Sequence, residues 1–257
     1  MPGGSGVLAA VDGRIRRRDR FRARTRRFVE LPLRLRTSDL PKRTASAVVM
    51  LLVAGAALWL GGWWLDGLIA LVALACLWEL ARLVRRATVR WPNRLAGFAA
   101  GLVYVGTAAL FLMAIGREFM LELLLGVAAA DTGAYFAGRT IGGPKLAPRI
   151  SPSKTWAGLI GGAVFAGLAL AIEAGLSLDL ETAALTAVGA GLAFGIVVAL
   201  VAQGGDLMES WLKRKAKMKD SSSLIPGHGG VFDRVDGLVA VAFVLAVIGS
   251  PPLLDFW

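Results

Sequence analysis

The chain has one cysteine, one histidine and two tyrosines in 257 residues. A single cysteine, Cys76, excludes both a disulfide framework and a cysteine metal centre, and its place inside an apolar run reads as packing. Charge is scarce as well: 18% of residues are charged against 56% hydrophobic, and mean hydropathy is +0.64. That balance is too apolar for a soluble domain built around one core. Residues 61–66, 175–181 and the tail after 250 contain no Lys or Arg. Apart from Arg117 and Glu118, the same ends of the apolar runs are almost uncharged, so no polar path continues to that side, which argues against a transporter or channel. The Arg26–Arg27 pair is not followed promptly by a short apolar stretch with a small-residue cleavage site, which excludes a twin-arginine signal. The PSKT run at 152–155 lacks the GxxxxGK[ST] glycines and a preceding strand, which excludes a P-loop.

What is present is length in apolar blocks. A membrane span takes about 20 apolar residues, and seven segments answer to that: 45–65, 67–83, 95–115, 119–130, 156–174, 182–202 and 237–254. Polar interruptions could split or merge some of them. The expectation is therefore an all-α, polytopic membrane bundle of about seven, and up to nine, transmembrane helices with a polar pocket at its cytoplasmic face. Basic residues collect before the first segment and after the second, fourth and sixth. By the positive-inside rule these connections and the N-terminus face the cytoplasm, and an odd number of crossings sets Trp257 outside. Residues 1–44 hold 13 Lys and Arg against four Asp and Glu, most of the net +11. A polybasic segment ahead of a membrane entry suits anionic headgroups more simply than nucleic acid. Residues 1–37 are expected to be a basic, disordered cytoplasmic extension and 38–257 the integral membrane domain. Glycines 158 and 162, and 191 and 195, stand four apart, a spacing that lets helices approach closely.

Two polar blocks interrupt the apolar pattern. In the first, at 210–236, a helix continuing beyond the sixth segment would carry Asp206, Glu209, Ser210, Lys213 and Arg214 on one face, at i, i+3, i+4, i+7 and i+8. Such a stripe alone could be an interfacial helix with ordinary ion pairs. The Ser-, Gly- and Pro-rich SSSLIPGHGG that follows cannot continue a helix, and its Gly227, Gly229 and Gly230 leave backbone amides able to approach an anion. Asp233 and Asp236 then stand before the last apolar segment, as helix caps or as ligands. With Asp206, Asp233 could supply the one or two carboxylates that Mg²⁺ takes beside phosphate oxygens. The second block, 129–158, opens with Asp131 directly after an apolar run, where an acid is costly unless it faces a polar cavity. Arg139, Lys145, Arg149 and Lys154 follow in a Gly- and Pro-rich loop and could grip phosphates.

The first block, SWLKRKAKMKDSSSLIPGHGGVFDRVD, resembles the signature of the phosphatidate cytidylyltransferases, position by position: Ser210, Lys213-Arg214, Lys219-Asp220, Ile225-Pro226, His228-Gly229-Gly230 and Asp233-Arg234-Val235-Asp236. The second resembles the same family in DTGAYFAGR and ISPSKTWAG, but Ala157 stands where members commonly carry Glu, so no role of that carboxylate carries over. The resemblance runs from about residue 38 onward. It implies condensation of CTP with phosphatidic acid to CDP-diacylglycerol and pyrophosphate in phospholipid biosynthesis, at the cytoplasmic face of a bacterial-type inner membrane. It implies Mg²⁺ as cofactor, with a second, monovalent cation as a further candidate, and CTP, phosphatidic acid and membrane lipids as partners. Self-association as a homodimer is compatible with it, and no nucleic acid is expected. On this reading Asp206 and Asp233 hold the metal, with Asp131 and Asp236 beside them. Lys213, Arg214, Lys219 and Arg234 neutralise phosphates, with Ser151 and Lys154 helping from the other loop and Ser210, Gly229 and Gly230 lining the substrates. His228 donates to a phosphate or to the leaving group. The alternatives are another CTP-using lipid enzyme such as a polyprenol kinase, a transporter with a cytoplasmic anion site, or a membrane scaffold without catalysis.

Overall fold

The computed structural model describes residues 40–177 and 183–249. The expected N-terminal extension, most of the connection before the sixth segment and the placement of Trp257 lie outside these residues. Contacts divide the chain into Met1–Lys42 and Arg43–Trp257, and the fold below is that of the second unit.

Each of the seven apolar segments centres on one helix: α1 Leu40–Leu60, α2 Gly62–Ala87, α3 Trp91–Ala114, α4 Arg117–Thr140, α5 Trp156–Ser177, α6 Ala183–Lys215 and α7 Phe232–Ile248. Six are long and apolar enough to cross a membrane, which makes this an integral membrane protein; α7, at 17 residues, is shorter than the rest. Connections are tight where no polar block intervenes. Gly61, in the left-handed region at φ 63°, turns α1 into α2, and Ile115 and Gly116 turn α3 into α4. Both polar blocks come together, where Arg214 Nε donates to Ile150 O at 3.2 Å. At the α1–α2 turn Trp59, Trp63 and Trp64 are exposed, as aromatics at a membrane interface are.

The second polar block is not the open loop its Gly and Pro content suggests. It folds into an antiparallel pair, β1 Lys145–Ala147 and β2 Ser151–Thr155. In a two-stranded ribbon both strands are edges, so Pro152 is tolerated in β2 despite its missing donor. Thr155 ends the strand and starts α5, its Oγ1 accepting from the Gly158 amide at 3.0 Å.

The main core lies between α2, α3, α4, α6 and α7, around Cys76, Leu80, Val105, Leu123, Val198, Phe232 and Val241. Cys76 is fully buried there, as a packing residue should be. Helices α4, α5 and α6 pack through small residues. A Cβ on Gly162 would stand 2.8 Å from the Ala130 carbonyl, and one on Gly191 2.6 Å from that of Leu170. At Gly133 it would lie 2.6 Å from the Gly161 carbonyl of the facing helix. Gly133→Ala is therefore expected to cost about 1–3 kcal/mol by overpacking and to lower the thermal midpoint in detergent. Gly106→Ala, inside α3 with open space around it, should leave the midpoint unchanged or raise it slightly.

Candidate active site

Helix α6 runs unbroken beyond its apolar part to Lys215, and the spacing of its polar residues does place Asp206, Glu209, Ser210 and Lys213 on one wall of a cavity of about 600 Å³. The facing wall comes from α4, with Asp131, Tyr135 and Arg139, and from β2, with Ser153 and Lys154. The first two turns of α7 add Asp233, Arg234 and Asp236. Eight of the residues expected at the site thus meet around one space: Asp131, Lys154, Asp206, Ser210, Lys213, Asp233, Arg234 and Asp236. Tyr135 and Gln203 join them, neither singled out by the sequence. Arg139 lies over the Tyr135 ring, 5.9 Å from its centre, and reaches the Tyr135 hydroxyl at 3.3 Å.

The charges in the cavity are arranged in pairs. Lys154 Nζ contacts Asp206 Oδ2, joining the two polar blocks directly. Lys213 Nζ lies 2.6 Å from Glu209 Oε2 and 3.1 Å from Asp233 Oδ1. Asp131, Asp206 and Asp236 all line the same cavity. Carboxylates gathered in one cavity repel unless a cation or proton lies between them. Glu209 adds a buried Oε1 with no hydrogen-bond partner, an orphan that native interiors rarely leave.

These features fit a divalent cation of the hard, oxygen-preferring kind. Among the described residues no cluster of three or more His, Cys, Asp or Glu already surrounds a single point. Carboxylates from two or three positions would hold such an ion, with phosphate oxygens and water completing its coordination.

Asp233 is already well supplied with partners. Besides Lys213 it accepts from the Ser221 amide, at 3.2 Å and 3.1 Å to its two oxygens, and from the Gly230 amide at 2.9 Å. Burial opposes its charge, but hydrogen bonds and the Lys213 ammonium outweigh it and hold the carboxyl below the usual carboxylate range. Neither Asp233 nor Asp236 is the cap of α7. Val231 occupies that position, Asp233 is in the first turn and Asp236 lies inside the helix. Asp206 likewise lies within α6 and not at its end.

The remaining candidates stand outside the cavity lining. The amides of His228 and Gly229 both donate to Ile225 O, and that of Gly230 donates to Asp233, so all three are bonded within the protein. Gly229, at φ 88°, permits the tight return of this turn. His228 Nδ1 is 2.8 Å from Ser46 Oγ on α1, and the His228 carbonyl accepts from Arg234 at 2.7 Å. Arg214 is engaged with Ile150 O, Ser151 is buried with Oγ 3.4 Å from that of Ser153, and Lys219 is exposed.

One residue the sequence reading passed over organises the whole turn. Glu79, in the second half of α2, is fully buried. Its carboxylate accepts from Ser221 Oγ at 2.7 Å, Ser222 Oγ, the Val231 amide at 2.9 Å and the Phe232 amide at 2.8 Å. The signal available was the one used for Asp131: an acid within an apolar helix must meet polar partners.

A family model, described as the cytidylyltransferase family, matches residues 41–123 and 112–250. The chain is 45% identical over 167 residues to a phosphatidate cytidylyltransferase of Brucella suis, covering 63% of this chain and 60% of that protein. To its counterpart in Pseudomonas aeruginosa it is 37% identical over 193 residues, covering 72% of this chain and 69% of the other. A Haemophilus influenzae phosphatidate cytidylyltransferase is 45% identical over 130 residues, 49% of this chain and 43% of that one. The chain thus spans about 60% of the length of the Brucella relative it matches.

Proposed function

Since the chain belongs to the cytidylyltransferase family, we propose that it transfers the cytidylyl group of CTP to phosphatidic acid, releasing pyrophosphate and leaving CDP-diacylglycerol. The observation that carries this reading is the single cavity in which Lys154, Lys213 and Arg234 meet a row of carboxylates at one end of a membrane bundle. A lipid phosphate at headgroup level and a water-soluble nucleotide can reach one another only at such a boundary. The alternation of basic connections supports placing that end in the cytoplasm of a bacterial-type inner membrane, with the N-terminus on the same side.

In this reaction a phosphatidate oxygen forms a bond to the α-phosphorus of CTP as the bond to the β-phosphate bridging oxygen breaks. The nucleophile is already an anion, so no strong base is required. The obstacle is repulsion between two polyanions, which fixed positive charge relieves while holding them in line. Lys213 and Arg234 suit the nucleotide phosphates and Lys154 and Arg139 the lipid phosphate. A divalent ion would be held by carboxylates drawn from Asp206 on α6, Asp233 and Asp236 on α7 and Asp131 on the facing wall; when bound, it would neutralise phosphate oxygens and draw both substrates together. Asp233 also fixes Lys213 by its ion pair.

Purified protein in detergent, given labelled CTP, phosphatidic acid and Mg²⁺, is expected to yield a lipid-soluble cytidine product and pyrophosphate, and excess chelator to abolish both. Release of CDP in place of pyrophosphate would identify a kinase. Undiminished synthesis in chelator would remove the ion from the mechanism.

A further inference from the structure

The proposed chemistry leaves Glu79 without a task. We propose that Glu79 is a positioning residue that clasps residues 216–231 and the first turn of α7 onto α2, fixing Asp233 and, through it, Lys213 at the cavity; this rests on the cytidylyl-transfer reading above.

All four partners of the Glu79 carboxylate are hydrogen-bond donors, so it serves purely as an acceptor, the role an ionised carboxylate fills. Two of them, the Val231 and Phe232 amides, belong to the N-terminus of α7. Amides there have no acceptor within their own helix, and the helix dipole favours negative charge beside them. Val231, at the cap position, provides no side-chain cap. Glu79 supplies one from another helix.

The clasp and the cavity share atoms. Ser221 gives its hydroxyl to Glu79 and its amide to Asp233. Along the next turn the Gly230 amide goes to Asp233, and those of Val231 and Phe232 go to Glu79. A Cβ on Gly230 would collide with Ser221 Oγ and lie 2.6 Å and 2.8 Å from the two Glu79 carboxylate oxygens, so any side chain there would displace both members of the clasp. The two carboxylates thus divide the donors of one turn between them, and displacement of one shifts the other. Asp233 in turn lies 3.1 Å from Lys213 Nζ. Were α2 needed here only for packing, an apolar residue would fill the position without any desolvation cost.

The test uses the full chain in detergent. In Glu79→Gln one side-chain oxygen becomes an NH₂ group that faces donors. The folded variant is expected to show kcat about 100-fold lower, as a misplacement near 1 Å can cause, with KM for CTP and for phosphatidate within about threefold of wild type. Hydrogen exchange should quicken at the Ser221 and Gly230 amides, which bond to Asp233 and not to Glu79; electron-transfer fragmentation reads them singly. A folded Glu79→Gln protein with near-normal kcat, or with unchanged exchange at those two amides, would overturn the proposal. If that variant does not fold, Ser222→Ala removes a single donor. It should lower kcat by about tenfold, the worth of one hydrogen bond to a charged group, with the same two amides exchanging faster, and unchanged values would be equally decisive. Wild-type protein that forms no lipid-soluble cytidine product would refute cytidylyl transfer itself, while the exchange measurements would still decide the clasp.

Discussion

Asp206→Asn is expected to lower turnover by roughly 100- to 1000-fold, the scale seen when one electrostatic element of a preorganised site is removed. Asn preserves the shape of the side chain and removes its charge. That charge pairs with Lys154 and shares the cavity with Asp131, Asp233 and Asp236. The Asp206 side chain is 25% exposed and sits on the cavity lining, so the fold should survive and the thermal midpoint should move little. The Mg²⁺ concentration for half-maximal rate should rise if, as proposed, Asp206 is a ligand of the ion. Rates measured across a Mg²⁺ titration, with the midpoint followed in parallel, check both expectations. Near-normal turnover in the variant would remove Asp206 from the site.

The largest stability effect is expected at Lys213. Its ammonium is the cation against both Glu209, whose side chain is 3% exposed, and Asp233, at 7%. Lys213→Met would leave two buried carboxylates facing one another without a cation, and breaking a buried pair from one side costs about 3–5 kcal/mol. The double change Lys213→Met with Glu209→Gln should recover much of that loss, since a neutral amide no longer needs the cation, yet it should not recover turnover. Chemical unfolding in mixed micelles and initial rates separate the two effects. Equal stability of Lys213→Met and wild type would mean that neither Glu209 nor Asp233 depends on the Lys213 cation.

How far the sequence could be read follows from the range over which its residues act. The apolar segments are local, and each centres on one helix, though α7 is shorter than its segment. The stripe Asp206, Glu209, Ser210 and Lys213 is local too, since helical spacing alone puts those side chains on one wall. Asp131 was legible because an acid at that depth needs a polar surrounding. The β1–β2 pair was missed because it spans so few residues that its glycines and prolines outweigh its pattern. Asp236 could be taken for a cap because the start of α7 lies earlier than the apolar run, at a turn fixed by tertiary contacts. Glu79 was hardest, since Ser221 and Phe232 lie 142 and 153 positions further along. No periodicity reports a bond across that distance.

The Glu79 clasp also bears on how the protein is made. Helix α2 emerges early in synthesis and would enter the bilayer carrying a carboxylate whose four donors all belong to residues 221–232, which have not yet been translated. Until then that acid must keep water or stay near the headgroups, because an unmet acid within hydrocarbon is costly. A chain that stops before Ser221 therefore leaves that carboxylate without any of its four protein donors. Completion of the chain supplies those donors and, through the shared Ser221, sets Asp233 in place in the same event.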